Sequence, residues 1–309
     1  MPLLDAARVG PCLAVLHEGA EDATPMLVMP STWGTVNHYV RLARGAPTTV
    51  WGIENGYLRT GDATFMQHDT LESQAVAYAE VIGRACAHTG RTHQFHILGG
   101  SFGALLAQKT AAAAQRVGSK PSVVVLIDPP PPGPGTLPRP ASAWIAGEAI
   151  RLGQQVAGVG VDHGRINAVI GECMEGGEWE LAVAVTQELA TLGLGTFDKR
   201  TIAITRRRFE VYKKHLELWE AQDLVPEPLK DCGGKGKVRI LLFLSSRRRD
   251  FFDPIHGDCN ADALEMYGEC ETLQILEGEH TEVVQRVSTG REVDAANSMW
   301  DAIVCSHQI

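Results

Sequence analysis

Residues Phe95 to Ala114 read FHILGGSFGALLAQKTAAAA, and the rest of the chain is arranged around them. Phe95-His96-Ile97-Leu98 is an apolar run with the length of a short buried strand. Gly99-Gly100-Ser101-Phe102-Gly103 follows, a G-x-S-x-G, and then an Ala/Leu-rich segment of high helix propensity. Strand, tight turn and helix in that order form the setting of a nucleophile elbow, in which a serine is held out on a sharp turn. Such a turn strains the backbone, so its neighbours must be small. Gly99 and Gly103 let strand and helix pack closely behind Ser101. The amide of Phe102, at the helix start, then faces an oxyanion. A Gly-rich phosphate or dinucleotide turn is the competing reading, but the chain has neither G-x-G-x-x-G nor G-K-[ST].

Upstream of the elbow, Cys12–His17, Met26–Met29 and Thr49–Ile53 read as strands. The second ends in Pro30-Ser31-Thr32-Trp33-Gly34, a small-residue turn leading to a helix around Asn37 to Ala43. A strand end of this kind is where the second oxyanion amide belongs, so Ser31, Thr32 or Trp33 is expected to supply an N–H. Glu54 to Thr70 reads as a loop. Leu71 to His88 carries Leu71, Ala75, Tyr78, Ala79, Ile82 and Ala85 at helical spacing, with Gly90 as its stop.

Downstream, Ser122–Ile127 is continuously apolar and β-branched, as a strand buried on both faces of a parallel sheet should be. It ends in Asp128 and four prolines. A carboxylate just past such a strand lies in the crevice where α/β sheets place ligands. Residues 137–229 then change character and show helical patterns at 143–156, 179–192 and 199–222. Val238–Leu244 restores a strand, 260–267 a short helix, and Thr272–Leu276 a last strand, followed by the tight loop Gly278-Glu279-His280 and a closing helix at 292–304. Strand and helix alternate outside the helical stretch. The expectation is one α/β domain over 1–309, a mostly parallel central sheet with helices on both faces and a helical lid inserted at about 133–229.

Composition bounds the function. The chain has 309 residues, 44% hydrophobic, and a net charge of −9, which disfavours nucleic acid as a partner. No run of 18 apolar residues suggests a membrane span. The N-terminus lacks a basic region ahead of its apolar part, so no secretory signal is expected. Seven scattered cysteines without a C-x-x-C suit a reducing, cytoplasmic setting and argue against a disulfide frame or zinc site. No metal or permanently bound cofactor is expected.

GGSFGALLAQ after FHIL, then VVVLIDPPPP, a helical lid and GEHTEVV near the end resemble the thioesterase domains of polyketide synthases and nonribosomal peptide synthetases. The segment MLVMPSTWGTVNHYVRLA is similar to their oxyanion-side motif. The resemblance covers most of the chain except the lid and the first two dozen residues. It implies the α/β-hydrolase fold, with Ser101 as nucleophile, Asp128 as the acid and His280 as the base, in the order Ser, Asp, His. It also implies an acyl group delivered as a thioester on the phosphopantetheine arm of an acyl or peptidyl carrier protein, and release by hydrolysis or macrocyclisation. Two positions depart from the family pattern: Gly100 is unusually small within the elbow, and Thr281 follows the histidine where a bulky apolar residue is common.

Alternatives stay open at this level. Asp250 or Asp253, after the strand at 238–244, would serve if the acid came one strand later. His163, His215, His256 and His307 lie downstream without a strand–loop setting. The basic runs Arg206–Arg208 with Lys213 and Lys214, and Arg247–Arg249, read as a solvated face, or as a greeting for an acidic carrier or a phosphate. Trp144, Met174, Trp179 and Trp219 are candidates to line an acyl tunnel. The alternative activity is a carboxylesterase or lipase acting on free oxyesters. A non-catalytic binding protein on the same scaffold is disfavoured by the intact Ser, Asp and His set.

Overall fold

The computed structural model describes residues 12–20, 22–88, 93–130, 133–134, 141, 144, 199–221, 223–224, 238–247 and 272–305. Seven strands form one sheet: β1 (Leu13–His17), β2 (Met26–Val28), β3 (Val50–Ile53), β4 (Gln94–Gly100), β5 (Lys120–Ile127), β6 (Arg239–Ser245) and β7 (Thr272–Leu276). Their order across the sheet is β1-β3-β2-β4-β5-β6-β7. Within this sheet only the β1–β3 pair is antiparallel, and its other ladders are parallel. The expected mostly parallel α/β sheet is therefore what the chain builds.

Period-2 alternation divides the strands between two cores. Val124 and Leu126 of β5 enter one apolar cluster with Ile97, Leu242 and Leu244. Val123, Val125 and Ile127 enter the other with Leu98, Leu241 and Phe243. The first core is closed by α1 (Leu71–His88) and α2 (Phe102–Arg116). The second is closed by α4 (His280–Ser288) and α5 (Val293–Cys305). Helices on both faces explain why β5 reads as an unbroken apolar run: it has no solvent face. Five of its residues, Val123 through Ile127, have no exposed surface. The alanines of α2 let that helix lie close to the sheet.

Two local expectations are corrected. Glu54–Thr70 is not a plain loop: it holds a short helix, Gly56–Thr60, capped by the Asn55 side chain, and a 3-10 turn, Ala63–Met66, capped by Asp62. His280 does not sit in the loop after β7; it opens α4, which the reading missed. Thr281, Val283, Val284 and Val287 are β-branched and weak helix formers. Val283 and Val287, four residues apart, bury completely against the sheet, and tertiary packing overrides propensity.

α3 (Lys199–Glu220) lies within the expected lid and packs on the Gly56–Thr60 helix. Tyr57 hydrogen-bonds Glu210 across that contact. The remainder of the expected lid, including the helical patterns at 143–156 and 179–192, lies almost wholly outside the described residues. So do Gly90, the short helix at 260–267, Met174 and Trp179.

Candidate active site

Parallel strands bring their carboxyl ends to one edge, and the site residues collect there. Ser101 follows β4, Asp128 follows β5, and Glu279 and His280 follow the turn after β7. The strand ladders run one residue past their ends. The Ser101 N–H donates to Ile127 O at 2.8 Å, and the Asp128 N–H to Phe243 O at 2.6 Å. Both residues then turn sharply, with φ of 52° at Ser101 and 41° at Asp128, the only non-glycine residues at positive φ among those described. Positive φ is costly for a side-chain-bearing residue and collects at functional sites.

The glycines of the elbow have specific causes. A Cβ on Gly99 would stand 1.9 Å from Gly103 O, and one on Gly103 would stand 2.8 Å from Pro30 O. Helix α2 and the turn after β2 therefore touch backbone to backbone. Gly100 is also accounted for: a Cβ there would meet Val284 at 3.0 Å and Tyr39 Oη at 3.3 Å. Val284 of α4 takes the space that a larger elbow residue would use.

The geometry joins three side chains from three strand ends. His280 Nε2 lies 2.8 Å from Ser101 Oγ, and His280 Nδ1 lies 2.7 Å from Asp128 Oδ2. Asp128 Oδ1 accepts from the Ser245 N–H at 3.1 Å, which fixes the carboxylate from the side of β6. Ser245 Oγ in turn donates to Gly278 O at 2.5 Å, tying β6 to the turn that carries His280. Asp128 has no exposed surface and His280 is 2% exposed, so this contact is shielded from water. Asp250 and Asp253 lie outside the described residues.

Of the loop residues expected to offer an oxyanion amide, Ser31 has already spent its N–H on Thr35 O at 3.1 Å. The Trp33 N–H turns back to Ser31 Oγ at 3.3 Å. Ser31 is thereby corrected as an amide donor. No acceptor among the described residues takes the N–H of Thr32 or of Phe102, the first residue of α2. Both residues line the same cavity.

That cavity, about 610 Å³, opens over Ser101 and His280. Trp33, Trp144, Tyr212 and Trp219 form much of its wall, and Thr281 and Gln285 project from α4. Trp33 stacks on Tyr212 of α3 with ring centroids 4.4 Å apart and planes 15° apart. Two of the four residues expected along an acyl tunnel, Trp144 and Trp219, therefore face this space. His38 also lines it; burial pushes its pKa down to about 4, so it is neutral near pH 7.

His215, which has no strand–loop setting in the sequence, stands beside this site in a role that this context does not suggest. His215 of α3 has no exposed surface and lies behind the loop that follows β2. Its Nδ1 is 2.9 Å from Thr32 O and its Nε2 is 3.0 Å from Gln74 Nε2 of α1. Its ring stacks on Phe102 at 4.8 Å and 28°. A signal existed: Tyr212, His215 and Trp219 fall at i, i+3 and i+7, on one face of a helix.

Residues 24–141 match the family model of the thioesterase domain. No curated protein sequence matches the chain. Among solved structures, the chain is similar to a holo four-domain nonribosomal peptide synthetase bound to AMP and glycine, with 18% identity and a TM-score of 0.60, over 92% of this chain and 20% of that one. It is similar to the Vlm2 thioesterase domain bound with a dodecadepsipeptide, with 15% identity and a TM-score of 0.53, over 92% of this chain and 96% of that one. The NocB thioesterase domain from the nocardicin cluster gives 16% identity and a TM-score of 0.50, over 95% and 99%. This chain thus spans a fifth of the synthetase but nearly the whole of each thioesterase domain. The resemblance to thioesterase domains of polyketide synthases and nonribosomal peptide synthetases holds, and the fold is the α/β-hydrolase fold. The family match supports a thioester-releasing hydrolase. Among the described residues no helix is long and apolar enough to cross a membrane.

Proposed function

We propose that the protein is a serine thioesterase that takes an acyl or peptidyl chain from a carrier protein's phosphopantetheine thioester onto Ser101 and then releases it. The observation that carries this reading is the hydrogen-bonded series Ser101 Oγ, His280, Asp128, with 2.8 Å and 2.7 Å at its two links. A serine hydroxyl is a weak nucleophile until a base takes its proton. His280 Nε2 takes it, while Asp128 accepts from Nδ1–H, selects that tautomer and stabilises the imidazolium. Ser101 Oγ attacks the thioester carbonyl, and the resulting oxyanion is received by the amides of Phe102 and Thr32. The tetrahedral intermediate collapses, the C–S bond breaks, and His280 returns the proton to the departing thiol. Water, or a hydroxyl or amine of the bound chain, then attacks the acyl-Ser101 ester with His280 again as base, giving a free acid or a ring. The phosphopantetheine belongs to the partner; the enzyme needs no cofactor of its own for these steps.

The acyl chain lies in the aromatic-walled cavity, whose volume suits a chain of drug-like size. Trp144 and the α3 residues Tyr212, Leu216 and Trp219, all within the lid expected at about 133–229, wall that space, and its shape decides between water and an internal nucleophile. The Vlm2 domain bound with a dodecadepsipeptide supports a peptidyl substrate class for a fold of this kind.

The test is intact mass after mixing with an acyl-pantetheine thioester, with wild type beside Ser101→Ala. An acyl adduct seen only in wild type and mapped to Ser101 supports the reading. No adduct and no turnover, with Ser101 still labelled by a fluorophosphonate, moves the enzyme to the oxyesterase class.

A further inference from the structure

We propose that His215 is a positioning residue that holds both amides of the oxyanion hole, a role that rests on the serine mechanism above. One imidazole touches both residues that carry those amides. It bonds the Thr32 carbonyl at 2.9 Å and stacks on the Phe102 ring at 4.8 Å. Its position on α3 makes it the point where the helix over the site grips the loop beneath it.

The protonation state follows from the partners. A carbonyl oxygen only accepts, so Nδ1 must carry the hydrogen. In the neutral ring Nε2 is then an acceptor, and the atom facing it at 3.0 Å is the Gln74 amide nitrogen, a donor. The same nitrogen donates its other hydrogen to Tyr78 Oη at 3.1 Å. The whole set, Tyr78, Gln74, His215 and Thr32, has one consistent arrangement of hydrogens with His215 neutral. Burial supports that state, pushing the pKa of His215 down to about 4. A neutral imidazole adds no positive charge that would compete with His280 or alter the loop's bonding near neutral pH.

Its effect on the loop is directional. His215 faces backbone carbonyls of both Ser31 and Thr32. In a trans peptide the N–H points opposite to the C=O. The Ser31 carbonyl also accepts from the Gly34 N–H at 2.8 Å, and His215 fixes the adjoining Thr32 carbonyl, so together the two bonds set the direction in which the Thr32 N–H points. Without this anchor the Thr32 carbonyl loses its bond to α3, and the loop is left with its internal bonds, the Asn55 N–H on Gly34 O and the Trp33–Tyr212 stack. Misplacing a reacting group or donor by about 1 Å is enough to cost about 100-fold in rate.

The experiment compares His215→Phe with His215→Asn. Phenylalanine keeps the volume and the stack but donates nothing. Asparagine loses the ring but places an amide N–H near the position of Nδ1. Rates are read with an acyl-pantetheine thioester and with a short p-nitrophenyl ester, and unfolding midpoints are measured beside them. The expected result is a fall in kcat of about 10- to 100-fold for His215→Phe with KM within twofold, on both substrates. His215→Asn should recover most of that loss although both variants lose stability. Equal kcat losses in the two variants, or kcat within twofold of wild type in His215→Phe, would overturn the proposal. The serine thioesterase reading fails by a different sign: wild type that cleaves the ester but not the thioester, with the His215 pattern still visible on the ester. A wild type that reacts at Ser101 with neither substrate overturns both.

Discussion

The Ser245 amide donates to Asp128 Oδ1 at 3.1 Å while Asp128 Oδ2 faces His280. The carboxylate is thus held by β6, the strand next to its own, as well as by its histidine. Asp128→Asn keeps an acceptor for the Ser245 amide and changes only the other oxygen. The amide nitrogen it brings to His280 Nδ1 favours the wrong tautomer, with Nε2 protonated and unable to take the Ser101 proton. We expect kcat to fall by about 10³- to 10⁴-fold with little change in thermal midpoint, read by steady-state kinetics and calorimetry.

Glycine substitutions should separate contact from conformation. Gly99→Ala places a Cβ 1.9 Å from Gly103 O, a backbone atom that cannot move aside. It should cost about 3 kcal/mol or prevent folding. Gly83, inside α1, has nothing within 4 Å of its missing Cβ. Gly83→Ala should stabilise by about 0.5–1 kcal/mol through helix propensity and a less flexible unfolded chain. Urea unfolding of the two variants checks both.

Acid should weaken the fold through His215. Its pKa is pushed down to about 4 by burial, against 6.5 for an exposed histidine. Between those values the unfolded chain binds a proton that the folded chain refuses, so stability is full above pH 6.5 and declines as pH falls toward 4. The whole loss from this residue is about 3 kcal/mol. His38 shifts in the same direction and is present in both wild type and His215→Phe. Urea midpoints taken from pH 7 to pH 4 should therefore show a shallower pH slope in His215→Phe.

The stack of Trp33 on Tyr212 joins the loop after β2 to α3. A double-mutant cycle with Trp33→Leu and Tyr212→Leu should return a coupling of about 0.5–1.5 kcal/mol in unfolding free energy. A value near zero would mean that the stack adds nothing to the hold between loop and helix.

Much of this molecule is legible in local pattern. The strand–turn–helix around Ser101, the doubly buried β5 and the 18-residue α1 all follow from short-range spacing, and their boundaries in the fold differ little from those read along the chain. α4 was missed because its β-branched residues argue against a helix until Val283 and Val287 find the sheet. The oxyanion loop was narrowed to three residues by its motif. Only the bonds Ser31 to Thr35 and Trp33 to Ser31 leave Thr32 as the one of the three whose N–H no described residue accepts.

The sequence by itself determined the α/β order of elements, the serine on its Gly turn, and the candidates for acid and base, because each rests on residues close together in the chain. Tertiary structure alone decided which carboxylate reaches His280 and which histidine stands behind Thr32. Those contacts join residues 152 and 183 positions apart. Such pairings are set by how strands order themselves in the sheet and how α3 crosses over it, and no local spacing encodes that.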